Sequence, residues 1–355
     1  MTLLADIEAM VTCESPSSDP AALARSADLV ARIGTLRLGV APVRHGANLL
    51  WRWGDDPKVL VLGHHDTVWP LGTLATHPYS VEGGVMRGPG CFDMKAGVAM
   101  AFHALAALDS PDGVTLLITS DEEIGSPGSR ALIEESATGC VAALVLEASA
   151  DGGALKTERK GISMYTIRAH GRAAHAGLEP HRGVNATIEL AHQTLAVAAL
   201  ADPVRGSTVT PTTFAAGTTS NTVPAGGEFT VDVRTAVPAE QDRIDAAMRE
   251  LRPVLEGARL EVSGGRNRPP LPASASAELF ARAARIAAEL GHPPLTSAAV
   301  GGGSDGNFTA GIGVPTLDGL GAVGGGAHAA GEHVLVDRLP DRTELLTALI
   351  RDLLR

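Results

Sequence analysis

Apolar residues along this chain fall into two kinds of run. In "DPAALARSADLVARIG" they recur at helical spacing, and Asp19 before Pro20 predicts an N-cap followed by proline in the first turn. "KVLVLG", "GVTLLITS" and "CVAALVLEA" are short apolar runs of the buried-strand kind, and the helical "MKAGVAMAFHALAALD" lies between the first two. Strands separated by helices predict an α/β sheet with helices on its faces. Polar residues cluster where these runs end, and open α/β sheets place their ligands at the carboxyl ends of strands.

The pattern changes near Lys160. "GISMYTIRAHG" predicts a strand, "GVNATIELAHQTLAVAAL" a helix, "STVTPTTFAAG" and "GGEFTVDVRTA" two strands, "AEQDRIDAAMRELRPVLEG" a helix and "ARLEVSGG" a strand. The order β-α-β-β-α-β is that of a ferredoxin-like module, expected over residues 161–266. The chain then returns to α/β character with "SAELFARAARIAAELG", a glycine-rich "VGGGSDGNFTAGIGVPTLDGLG" and a final helix "RTELLTALIRDLL". This makes the first domain discontinuous, 1–160 and 267–355, with the module inserted.

Composition narrows the function. The 355 residues are 45% hydrophobic but only 3% aromatic, so Ala, Val and Leu must fill the core. A formal charge of −11 argues against nucleic-acid or anionic-membrane partners. Cys13, Cys91 and Cys140 form no metal-type pair and are too few for a disulfide framework, which fits a reducing compartment. No charged-then-apolar leader opens the chain and no apolar run approaches a membrane span, so a soluble cytoplasmic protein is expected.

Five polar clusters carry the candidate chemistry: "GHHDTV", "GPGCFDMKAG", "TSDEEIGS", "LVLEAS" and "GGGAHAAGEH". Singly, each has an ordinary explanation as a hydrogen-bonded histidine, a solvated acidic loop or a salt-bridge partner. Together they form a mixed nitrogen and oxygen donor set suited to zinc or a related divalent ion. A two-metal site needs a bridging carboxylate and also a base that is not itself a ligand, and adjacent Glu122 and Glu123 can divide the tasks of ligand and base. In an extended segment His64 and Asp66 project to one side and His65 to the other, so the doublet supplies one ligand.

These ordered motifs resemble the zinc-dependent M20 metallopeptidases, in style most like their glutamate carboxypeptidase (carboxypeptidase G2-like) branch. The resemblance covers nearly the whole chain. It implies an α/β catalytic domain with a central mixed sheet flanked by helices, plus an inserted ferredoxin-like α+β lid or dimerisation domain. It implies two zinc ions per subunit, with cobalt or manganese as alternatives. His64 and Glu147 would bind the first ion, Glu123 and His328 the second, and Asp93 both, with the peptide bond to Met94 cis. Asp66 would hold the His64 ring, and Glu122 would be the general base. Glutamate at 147 is the carboxypeptidase-like choice, where many deacylase relatives carry aspartate. "GRAAHAG" resembles the lid motif G-x-x-S-H-A-G, with Ala174 for the usual serine, and implies that His175 stabilises the oxyanion in the neighbouring subunit of a homodimer. Asn221 and Arg234 resemble substrate-binding positions, Arg268 in "GGRNRPPL" is expected near the second hinge, where a guanidinium can clamp a substrate carboxylate, and the backbone at Gly302 and Gly303 lines the site in the family. Arg234 and Arg268 have a surface or hinge salt bridge as their alternative, and the remaining histidines, among them His65, His77 and His333, have no assigned role.

The implied activity is hydrolysis of a small peptide or N-acyl amino acid. One form releases a C-terminal, glutamate-like residue; the other is an aminoacylase or a deacylase of acetylornithine or succinyl-diaminopimelate type. Two remote readings remain. Gly301, Gly303 and Gly306 match G-x-G-x-x-G, as in a nucleotide-dependent oxidoreductase, yet too little chain follows for a nucleotide-binding half. A non-catalytic peptide-binding protein on the same fold would be expected to lack a ligand or the base.

Overall fold

Three of the apolar runs become neighbouring parallel strands, Val59–His64, Val114–Thr119 and Ala142–Val145, in the computed structural model, which describes residues 2–355. They form the middle of a six-stranded sheet in the order Val43–His45, Asn48–Arg52, Val114–Thr119, Val59–His64, Ala142–Val145, Thr316–Leu317. The first two strands run antiparallel to their neighbours, so the sheet is mixed. Val59, Val61, Leu116, Ile118 and Leu144 belong to a core that includes apolar residues of helices Leu3–Val11, Pro20–Leu38, Ala96–Ala106, Ala273–Glu289 and Leu339–Leu353. Leu60, Leu62, Leu117, Ala143 and Val145 meet Ile133, Ala137 and Phe308 in a second core. Burial on both faces is why these strands are unbroken apolar runs and do not alternate.

Local signals act as expected at helix Pro20–Leu38. Asp19 Oδ1 accepts from the N–H groups of Ala21 and Ala22, both at 2.9 Å, and Gly39 closes the helix with a φ of 74°. Helix Ala96–Ala106 owes its position to Gly97. A Cβ there would lie 2.2 Å from the Leu146 carbonyl oxygen, and one at Gly321 would meet the same oxygen at 2.2 Å. The chain just before Glu147 is therefore gripped between two glycines that let backbone approach backbone.

The chain divides into two units, one running to Arg159 and resuming over Leu271–Arg355, the other Lys160–Pro270. At the edge of the first, Arg159 and Leu271 exchange backbone hydrogen bonds of 2.9 and 3.0 Å. The second unit is an antiparallel sheet in the order Thr208–Ala216, Gly226–Thr235, Gly161–His170, Arg259–Arg268, with helices Ala186–Ala198 and Pro238–Arg249. Tyr165, Ile167, Phe229, Val231 and Val233 pack with Leu190, Ile244 and Met248 in its own core. The helix expected over 239–257 stops at Arg249, because Pro253 disfavours helix in the residue before it. The N–H groups of Val254 and Leu255 go instead to the buried Glu189 carboxylate. No helix of the described residues is long and apolar enough to cross a membrane.

Gly97→Ala should be destabilising, against the general trend in helices. Alanine gains about 1 kcal/mol of helix propensity over glycine, but overpacking against an immobile carbonyl costs about 1–3 kcal/mol or more. A lower urea midpoint is expected; a raised one would mean that the helix can retreat from the sheet at no cost.

Candidate metal centre

Each candidate ligand of the first unit sits just beyond a sheet strand or in a loop beside it. His64 is the last residue of its strand, Glu122 and Glu123 follow Val114–Thr119, and Glu147 follows Ala142–Val145. Asp93 lies in the turn before helix Ala96–Ala106, and its peptide bond to Met94 is cis, as the resemblance implies. His328, with a φ of 62°, stands in the loop between the short strands Gly324–Gly325 and His333–Leu335.

These residues converge. Asp93 Oδ1 lies 3.4 Å from His64 Nε2, which is 3.5 Å from Glu147 Oε1. Asp93 Oδ2 lies 3.2 Å from His328 Nε2, which is also 3.2 Å from Glu123 Oε2. One carboxylate thus turns its two oxygens towards two separate donor sets. Donors of His64, Glu122 and Glu147 lie within 4.8 Å of one another, as do those of His64, Asp93 and Glu123. His64 Nε2, Asp93 Oδ1 and Glu123 Oε1 are buried and make no hydrogen bond. Ligands held tetrahedrally at about 2.0–2.1 Å stand about 3.3–3.4 Å apart, which is the spacing found here. Orphaned donors at that spacing fit a pair of divalent ions, one within reach of His64, Asp93 and Glu147, the other of Asp93, Glu123 and His328.

The titration behaviour follows from crowding carboxylates around two imidazoles. Burial alone would depress His64, but Asp66, Asp93 and Glu147 outweigh it and raise its pKa well above the usual value. Asp93 and Glu123 lift His328 to about 10. Asp93 is held far below the carboxylate range by the two histidines, despite its burial. Burial and the Asp93 charge push Glu147 up, while His64 and Arg159 more than offset them and bring it down. Glu123 is raised, chiefly by burial. Protons therefore occupy the imidazoles in the absence of another cation.

Asp66 does more than face a histidine. Its backbone carbonyl lies 3.0 Å from His64 Nδ1, closer than its Oδ1 at 3.4 Å, so the main chain supplies the shorter contact to the ring. An Nδ1–H donated there makes Nε2 the nitrogen whose lone pair faces the cluster once its proton has left. The carboxylate instead accepts from Ser17 Oγ at 2.6 Å and from the N–H groups of Glu122 and Glu123 at 3.3 and 3.2 Å. His65 turns away: its Nδ1 meets Ser26 Oγ at 2.9 Å and its Nε2 the Ala47 carbonyl at 3.0 Å, and burial lowers its pKa to about 4.

Two residues carried no signal in the sequence reading. Arg159 is buried, grips Asp318 through two nitrogens at 2.7 and 3.2 Å, and approaches Glu147 to 3.4 Å. It also donates to the carbonyls of Gly302 and Gly303, so those glycines lie beside a Glu147 contact. Glu332 is buried and accepts from backbone around Asp93, and burial raises its pKa against the pull of those donors. In a linear reading they look like members of the charged "TERKG" and the polar "GEH".

In the second unit, the pairing of Ala174–His175 with Thr222–Val223 brings His175 beside Asn221, whose carbonyl accepts from Ala176 N–H at 2.9 Å. His175 Nδ1 accepts from the N–H groups of Gly177 and Leu178, both at 3.1 Å. Arg234 and Arg268 flank Ile162 in one row across the sheet. Arg234 forms a two-point bridge to Asp232, with both contacts at 2.8 Å, whereas Arg268 is buried and reaches Asn267 Oδ1 at 3.3 Å.

Residues 60–352 match the model of Peptidase family M20/M25/M40. The chain belongs to that family. This M20 chain is 33% identical over 342 residues to carboxypeptidase G2 of Pseudomonas sp. (strain RS-16), covering 93% of this chain and 79% of that one. It is 30% identical over 339 residues to a succinyl-diaminopimelate desuccinylase of Dinoroseobacter shibae, covering 86% and 87%. Its fold matches an M20 family metallo-carboxypeptidase of Sulfolobus solfataricus with a TM-score of 0.77, at 15% identity and 99% coverage of both chains. The M20 protein is a metal-dependent hydrolase, and the oxidoreductase and non-catalytic readings fall away.

Because His64 and His328 hold protons that a metal must displace, metal uptake by this M20 hydrolase should release about two protons near neutral pH. Their raised pKa values fix the sign: affinity climbs as pH rises towards about 10 and falls on acidification. Calorimetry of Co2+ binding in buffers of different ionisation enthalpy measures the release, and heats independent of buffer would contradict it.

Proposed function

We propose that this chain is a two-zinc hydrolase that releases a C-terminal, glutamate-like amino acid from a peptide or an N-acyl or aroyl amide. The observation that carries this reading is Asp93, whose two oxygens face His64 on one side and His328 on the other. Likeness to carboxypeptidase G2 over most of both chains supports the choice of bond and leaving group. Glu147, rather than aspartate, at the His64 side supports it as well.

Zinc ions held by His64, Asp93, Glu123, Glu147 and His328 would polarise the scissile carbonyl and bring the pKa of water towards neutrality. Glu122, buried and within 4.8 Å of the His64 and Glu147 donors, takes the proton from the attacking water. It then passes that proton to the departing amine. Asp66 fixes the carboxylate's position through the Glu122 and Glu123 N–H groups. His175 is suited to stabilising the oxyanion in the neighbouring subunit of a homodimer, because an Nδ1 that accepts two N–H bonds leaves the proton on Nε2, free to be donated. Arg268, Asn221 and Arg234 are assigned to substrate, Arg234 only after release from Asp232. Gly302 and Gly303 line the substrate side, their carbonyls turned to Arg159.

A second reading, a deacylase of the succinyl-diaminopimelate or acetylornithine type, has the same chemistry and rests on the desuccinylase likeness. A panel of glutamate-terminated aroyl amides, dipeptides, N-acetyl amino acids and N-succinyl-diaminopimelate, run with zinc and after chelation, separates the two. Faster turnover of the succinylated substrate would overturn the first reading.

Residues 161–266 are assigned to lid closure and to a homodimer. Leu195 and Ile188, on helix Ala186–Ala198, and Phe214, on an edge strand of the same unit, are exposed apolar residues that suit such an interface.

Glu122→Gln should keep two metal equivalents by elemental analysis and lose turnover by about 10²–10⁴-fold, the usual contribution of a positioned acid–base group. Wild-type-like turnover would remove Glu122 from its role. Leu195→Glu should convert a dimer to a monomer by light scattering, and a monomeric wild type would end the interface assignment.

A further inference from the structure

We propose that Glu332 is a positioning residue of the metal centre, a single carboxylate that ties together the segments carrying His64, Asp93 and His328. This rests on the metal-centre reading above and goes beyond it, because Glu332 lies behind the ligands and is not one of them. Glu332 is fully buried and forms no salt bridge among the described residues. Its partners are four N–H donors. Oε1 accepts from the backbone of Phe92 at 2.9 Å and of Asp93 at 3.0 Å. Oε2 accepts from the backbone of Gly90 at 2.9 Å and from Trp69 Nε1 at 2.8 Å.

Those donors map the ligand-bearing segments. Gly90, Phe92 and Asp93 form the turn that aims the bridging carboxylate. Trp69 belongs to the loop that follows His64 and Asp66. Glu332 itself ends the loop that presents His328, which is closed by hydrogen bonds from Ala329 N to the Gly326 carbonyl (3.0 Å) and from Glu332 N to the Ala329 carbonyl (2.9 Å). A second fastening runs beside it: the Trp69 ring stacks on His77, with centroids 5.6 Å apart, and His77 Nε2 contacts the Ala330 carbonyl. The gap of 3.2 Å between His328 Nε2 and Asp93 Oδ2 is therefore spanned from behind by Glu332, which holds one end through Asp93 N–H and the other through its own backbone.

The donor count also says why the residue is glutamate. Each oxygen faces two N–H groups, so both ends must accept. A glutamine would turn its NH2 towards two N–H donors in either orientation, at least one of them buried, and leave them without that acceptor. Removing a group that orients a ligand usually weakens metal binding by about 10–100-fold.

The test compares full-length wild type, Glu332→Gln, Glu332→Asp and Trp69→Phe, titrated with Co2+ against a chromogenic chelator, with the visible absorption of bound Co2+ as a second readout. Wild type is expected to take two equivalents. Glu332→Gln should bind the weaker equivalent at least tenfold less tightly and shift its absorption band. Glu332→Asp, which keeps two acceptor oxygens, should recover part of the loss, and Trp69→Phe, which removes one donor, should show a smaller loss in the same direction. Two equivalents with wild-type affinity and spectrum in a folded Glu332→Gln overturn the proposal, even if its melting temperature falls. Should that variant not fold, wild-type affinity in Trp69→Phe overturns it. A wild type that takes up no Co2+ overturns the metal-centre reading itself and this proposal with it.

Discussion

The arrangement of the first unit depends on keeping several carboxylates close together out of water. Asp93, Glu122, Glu123 and Glu147 all lie around His64, and His328 is the one further imidazole in the cluster. Two like charges about 4 Å apart repel by about 4 kcal/mol even at an effective dielectric near 20, so several such contacts rival the whole stability of a domain. Protonated histidines relieve part of that repulsion, and divalent ions relieve more of it. The orphaned His64 Nε2, Asp93 Oδ1 and Glu123 Oε1 are what a scaffold looks like when its polar atoms are meant for something other than one another.

Holding that cluster open requires backbone that cannot relax. Parallel strands buried on both faces deliver His64, Glu122, Glu123 and Glu147 at their carboxyl ends. Gly97 and Gly321 clamp the chain ahead of Glu147 by close approach to the Leu146 carbonyl. Asp66 and Glu332 brace the segments that carry the candidate ligands, both by accepting N–H groups. Their hydrogen bonds compensate for their own burial, and they gain orientation for the ligands without taking up a coordination position.

The fold class was legible because its signals are local. The strands Val59–His64 and Val114–Thr119 are unbroken apolar runs, and the Asp19–Pro20 cap announces its helix within a few residues. The candidate ligands stood out because each follows or interrupts an apolar segment with a polar group that has no local use. The short strands Gly324–Gly325 and His333–Leu335 were not legible, since two or three residues carry no periodicity and their pairing is decided by distant partners such as Val85–Arg87. Arg159 and Glu332 were missed for a related reason. A buried charge and a solvated one are spelled alike, and only the partners, Asp318 for one and the Asp93 turn for the other, tell them apart.

Charge balance also bears on the number of ions. Asp93, Glu122, Glu123 and Glu147 carry four negative charges when ionised, and Arg159 leans towards Glu147 while bound chiefly to Asp318, which it neutralises. One divalent ion would leave two of those charges uncompensated in a buried site, a costly state unless both histidines stay protonated, and a protonated His64 cannot offer Nε2 to that ion. Two divalent ions match four carboxylates and leave both imidazoles neutral. With the other carboxylates and the histidines on the ions, Glu122 would be the member of the set left to accept a proton. The same balance makes Asp93 the residue least open to replacement: asparagine at that position would remove one negative charge and offer a single acceptor oxygen to two donor sets.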